Sequence, residues 1–131
     1  MEIDSTWRGV WPTMVTPFYE DGRLDLDGTA RLTEWFIEQG VAGLFTVCLS
    51  SEMYELTPDE RLQLATAVVK AAGGRIPVAA GAVYAGSIAQ QAEFARRMAD
   101  TGVDTVVVIA NQLVGSEADE CQWQAAMEEY L

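Results

Sequence analysis

Histidine is missing from all 131 residues, which removes Ser-His-Asp and Cys-His nucleophile systems and every imidazole metal site at one stroke. Lysine occurs once, as Lys70, and 8 basic residues face 20 acidic ones for a formal net charge of −12. Phosphate backbones and anionic membrane surfaces both need clustered Lys and Arg, so no nucleic-acid and no membrane partner is expected. Cysteine is limited to Cys48 and Cys121, too few for a disulfide framework and wrongly spaced for zinc, and both read as reduced, inert thiols. No apolar run reaches the length of a membrane span, and the opening MEIDSTWRGV has neither the basic start nor the apolar stretch of a signal peptide. The cytoplasm is the expected compartment. Metal ligands are scarce as well. Asp25-Leu26-Asp27-Gly28 starts like a calcium loop but lacks the later ligands, so helix capping explains it, and Glu117, Asp119 and Glu120 suit the first turn of a helix. No metal and no cofactor is expected.

What is present is a core: 50% of the residues are apolar, enough for one domain over residues 1–131. Val10–Phe18 is apolar and β-branched enough for a buried strand, with Pro12 near its start because proline cannot donate to a ladder. Asp21-Gly22 marks a turn. Asp25 can cap a helix running to about Gln39, whose Ala30, Leu32, Trp35 and Phe36 share one broad face, and Gly40 ends it. Val41–Val47 reads as the second strand. Thr57-Pro58-Asp59-Glu60 combines a hydroxyl N-cap, a proline at the first helical position and a glutamate that closes a capping box, and the helix it opens stops at Gly73-Gly74. Ile76–Val83 is the third strand. Ser87 with Gln90 forms another capping box, for a helix that ends near Gly102; Val103–Ala110 is the fourth strand, and Glu117–Leu131 a last helix.

Strands this apolar have no wet face, and the order of strand then helix, repeated four times, predicts an α/β fold with a parallel sheet. Units of about 30 residues, eight of which make a barrel of about 250, mean that four of them supply about half of a TIM (β/α)8 barrel. Left open, four such strands have two edges and one apolar face without cover.

In parallel α/β proteins ligands bind beyond the C-terminal ends of the strands. The stretch Thr46–Arg61 (TVCLSSEMYELTPDER) is such a strand-to-helix connection, and it carries Ser50, Ser51 and Glu52. The two serines read either as anion-binding groups or as ordinary turn residues. Asn111 and Gln112, at the mouth of the fourth strand, read either as groups that hydrogen-bond a ligand or as a polar loop. Thr16 can donate toward the barrel centre or simply pack. Glu52 would repel a carboxylate held beside it, so it reads as a hydrogen-bonding scaffold residue near the site.

Five segments then align in order and spacing with one family. They are Thr13-Met14-Val15-Thr16-Pro17-Phe18, Gly40-Val41-Ala42-Gly43-Leu44, Glu52 with Leu56-Thr57-Pro58-Asp59-Glu60-Arg61, Ile76-Pro77-Val78-Ala79-Ala80-Gly81, and Ala99 to Asp104. From about Trp7 to Ser116 the chain resembles the N-terminal half of the dihydrodipicolinate synthase and N-acetylneuraminate lyase family, class I aldolases built on a (β/α)8 barrel. The resemblance implies that a Gly-Thr-Thr-Gly-Glu loop, here Cys48-Leu49-Ser50-Ser51-Glu52, binds the carboxylate of pyruvate or another 2-keto acid. Ser50 matches the second threonine of that loop and keeps a donor. Leu49 replaces the first, a member of the family's proton relay, and Gln112 replaces the relay tyrosine with a group that hydrogen-bonds but does not titrate.

The resemblance also implies that the imine-forming lysine belongs to a later strand, beyond Leu131, while Lys70 reads as a solvated helix residue. No residue of this chain is therefore expected to be catalytic, and Ser50, Ser51, Asn111 and Gln112 are the expected substrate-binding groups. The expected function is that of a Schiff-base aldolase or lyase acting on a 2-keto acid or other small carboxylate, catalytically incomplete as given, within a homo-oligomer. The alternative is a non-catalytic ligand-binding or scaffold half-barrel that self-associates.

Overall fold

The computed structural model describes residues 7–131. Helix and strand alternate as α1 (Leu26–Glu38), β1 (Leu44–Thr46), α2 (Pro58–Ala72), β2 (Val78–Gly81), α3 (Ile88–Ala99), β3 (Thr105–Val107) and α4 (Glu120–Tyr130), with single 3-10 turns at Leu49–Ser51 and Ala110–Gln112. The three strands lie side by side in the order β1-β2-β3 and all run parallel, Leu44 opposite Val78 and Ala79 opposite Thr105. This is a partial (β/α) fold. Among the described residues no helix is long and apolar enough to cross a membrane.

Local chemistry sets the helix boundaries. At α2 the Thr57 hydroxyl accepts from Glu60 N, the Glu60 carboxylate accepts from Thr57 N at 2.8 Å, and Gly73 closes the helix in the left-handed conformation at φ 58. Ser87 and Gln90 form the same reciprocal pair at α3, and Asp25 caps α1 by accepting from Gly28 N at 2.7 Å. Each such cap contributes about 1 kcal/mol. The last helix begins at Glu120 rather than Glu117, because Asp119 is its N-cap and pairs with Gln122; the preceding residues form a turn, Ala118 N donating to Gly115 O.

The expected first strand does not become one. Val10–Phe18 contributes a single parallel bridge, Thr13 opposite Phe45, held by Phe45 N donating to Pro12 O and Met14 N donating to Phe45 O. Below the bridge Pro12 has no N–H to extend the ladder. Above it the ladder is diverted, since the Ser51 hydroxyl takes the Met14 carbonyl at 2.6 Å and the partner strand turns away at Val47, φ 51. Three strands and a tethered extended segment thus stand where four strands were expected.

The sheet sorts its side chains by alternation. Met14, Leu44, Val78 and Ala80 are buried against Leu32 and Phe36 of α1, Leu64 and Val68 of α2, and Phe94 and Met98 of α3. Thr13, Phe45, Gly81 and Val107 take the other face, which none of these helices covers, and there line a pocket. The phase of α1 differs from the expectation: Trp35 is 52% exposed, and Thr29 and Thr33 are buried in its stead. Their hydroxyls donate one turn back, to Asp25 O at 3.0 Å and Thr29 O at 2.9 Å, so each goes into the core with its hydrogen bond satisfied. At the lower end of the sheet, Trp11 lies flat under Gly43, where a Cβ would come within 2.5 Å of its ring.

Candidate functional site

The pocket sits at the C-terminal ends of the strands and has a volume of about 350 Å³. Its walls are apolar, with Thr13, Cys48 and Ser50 as the polar side chains on its lining. Two backbone features shape it. Val47 is a β-branched residue held at positive φ, 51°, a conformation that is a genuine outlier for such a side chain and that clusters near functional sites. Its carbonyl comes so close over Gly81 that a Cβ there would fall well inside the 3.0 Å that real Cβ atoms respect. Gly81 is therefore glycine because the turn after β1 folds over β2.

That turn also separates two adjacent serines that were both expected to bind substrate. Ser51 is fully buried and all its polar groups are committed. Its hydroxyl donates to Met14 O at 2.6 Å and accepts from Cys48 N at 3.1 Å, its carbonyl accepts from the Thr16 hydroxyl at 2.7 Å, and its N–H donates to Cys48 O at 3.0 Å. Thr16 is buried too and spends its hydroxyl on this contact, so it points into the scaffold and not into the pocket. Ser50 lies exposed on the lining, and its Oγ accepts from Thr13 Oγ1 at 3.2 Å. The two hydroxyls form a pair at the rim. Sequence reasoning passed over Thr13, although strand alternation would have found it: with Met14 and Thr16 facing inward, Thr13 must face the other way.

Asn111 and Gln112 are exposed and do not line the pocket. They lie in the 3-10 turn Ala110–Gln112, and Ile109, just before that turn and two residues past β3, is the last wall residue on this side. Gln112 Nε2 instead donates to the Tyr54 hydroxyl at 2.9 Å and ties the turn after β3 to the loop after β1. Glu52 occupies a left-handed position, φ 55, and its N–H donates to Leu49 O. Its carboxylate is exposed and finds no hydrogen-bond partner among the described residues, so it supports the loop through its backbone and not through the side-chain bonds expected of it.

Arg61 is a further residue that the sequence did not single out as part of the site. Buried on α2, it donates from Nε to Leu56 O at 3.1 Å and from Nη1 to Val83 O at 2.6 Å. Burial lowers its pKa from the ordinary value, but a guanidinium retains its charge. It staples the loop after β1 to the end of β2, and so fixes Met53 and Val83 as pocket walls. Cys48 is buried at the base of the pocket, its Sγ 3.3 Å from Ser51 Oγ. Lys70 lies on the opposite side of the molecule, exposed beside the groove between α1 and α2 with Asp27 and Glu34. Among the described residues no group of three His, Cys, Asp or Glu side chains is placed to hold a metal ion.

Residues 6–121 match the sequence model of the Dihydrodipicolinate synthetase family. The chain is 39% identical over 112 residues to the "Probable 5-dehydro-4-deoxyglucarate dehydratase 2" of Streptomyces avermitilis, covering 86% of this chain and 33% of that protein. It is 38% identical over 102 residues to a 4-hydroxy-tetrahydrodipicolinate synthase of Methanococcus maripaludis, covering 78% of this chain and 35% of the relative. It thus spans about a third of the length of the curated relatives it matches. Among solved structures, YagE of E. coli K12, a prophage protein of the dihydrodipicolinic acid synthase family crystallised with pyruvate, superposes with a TM-score of 0.79 at 28% identity, over 95% of this chain and 41% of that one.

Proposed function

Because this chain belongs to the dihydrodipicolinate synthetase family, we propose that it forms the carboxylate-holding part of a 2-keto-acid aldolase or lyase site. The observation that carries this reading is the Thr13–Ser50 hydroxyl pair at the rim of the apolar pocket. Both hydroxyls can turn their protons outward to a carboxylate, giving two donors whose oxygens are 3.2 Å apart. In this reading Ser51 and Thr16 position Ser50 and make no ligand contact, while the Tyr54–Gln112 bond holds the two loops together at the mouth. Neither Leu49 nor Gln112 can pass a proton, so proton transfer falls to groups outside this set.

Imine chemistry needs a lysine desolvated in the pocket. Lys70 is exposed on the outer face, so the reading places the imine lysine on a segment outside these 131 residues. Pyruvate titrated into the chain and followed by NMR should shift Thr13 and Ser50 first, and Ser50→Ala should abolish that response. A response that survives Ser50→Ala would sink the assignment. For the reaction itself, the protein extended through later strands should yield a borohydride-stable pyruvate adduct.

A second reading draws on the uncovered face of the sheet, where Val15 is 59% and Leu49 69% exposed. In it the chain is a non-catalytic half-barrel that pairs with a second copy of itself, burying that face. Sedimentation equilibrium separates the two: a concentration-independent monomer excludes the self-associating form.

A further inference from the structure

We draw no further inference here: the strongest candidate, the apolar groove between α1 and α2 with Asp27 at one end and Lys70 at the other, has its charges where the helix dipoles favour them, and nothing in the structure shows what covers it.

Discussion

Gly81→Ala is the sharpest test of how the site is built. Gly81 has no positive φ to protect, so the usual conformational argument for glycine does not apply, and an alanine there would gain roughly 0.4–1 kcal/mol from a less flexible unfolded chain. Against that stands the Val47 carbonyl, which the new Cβ would strike. The obstacle is backbone, not the end of a flexible side chain, and Val47 is already held at φ 51, so it cannot yield cheaply. Overpacking of this kind costs typically 1–3 kcal/mol; the rigid obstacle places the gross cost near the top of that range, about 3 kcal/mol, and the gain from the stiffer unfolded chain leaves a net loss of about 2 kcal/mol. For a domain of this size that is roughly an 8 °C drop in Tm. Gly74→Ala is the matched control: nothing lies within 4 Å of its Cβ position, yet its φ is 74°, so it should lose only about 1 kcal/mol from the left-handed conformation. Thermal unfolding of both variants by circular dichroism decides the matter. If Gly81→Ala melts at or above Gly74→Ala, the closure of the β1 turn over β2 is not what requires glycine.

Ser51→Ala should destabilise by about 1–3 kcal/mol, since it leaves Cys48 N and Met14 O buried without a partner, whereas Ser50→Ala should change stability by less than about 0.5 kcal/mol; urea titration of the two distinguishes the scaffold serine from the exposed one. Arg61→Met should cost about 2–4 kcal/mol, because two carbonyls that now accept from a charged donor would lose it, and Arg61→Lys should not restore it, since one ammonium cannot reproduce the forked geometry. Glu34, gripped by Arg75, is held below its ordinary pKa of 4.5. A depressed carboxylate stabilises the fold above that value and loses its contribution as pH falls through the folded pKa, so the Tm difference between wild type and Glu34→Gln should shrink to nothing on acidification below pH 4.5. Finally, with a net charge of −12 and an uncharged pocket lining, carboxylate ligands should bind more tightly as salt screens the repulsion; weakening with salt would point to a cation at the site.

The helix starts were legible because their determinants are local. Thr57 with Glu60, Ser87 with Gln90 and Asp25 with Gly28 each settle a helix end through contacts three residues apart. The same locality made the alternation of strands and helices readable, since apolar runs and glycine stops lie in consecutive residues. The first strand was misread because its fate depends on what approaches it: Met14 O is taken by a serine 37 residues away. Asn111 and Gln112 were expected to meet a ligand because they follow the last strand, but in their 3-10 turn neither lines the pocket, and Gln112 bonds Tyr54 of the neighbouring loop instead.

The loop Cys48-Leu49-Ser50-Ser51-Glu52 divides in the same way. By itself the sequence determined that a hydroxyl-bearing turn joins β1 to α2 and which family that turn belongs to, because residue order and spacing carry both. Only the tertiary structure decided that Ser51 is locked into the scaffold, that Ser50 meets Thr13 at the pocket, and that Arg61 fastens the wall. Two neighbouring serines have the same chemistry, and what distinguishes them is which carbonyls and hydroxyls the rest of the chain brings within 3.2 Å. Those partners come from a segment more than thirty residues earlier, so no local pattern encodes the difference.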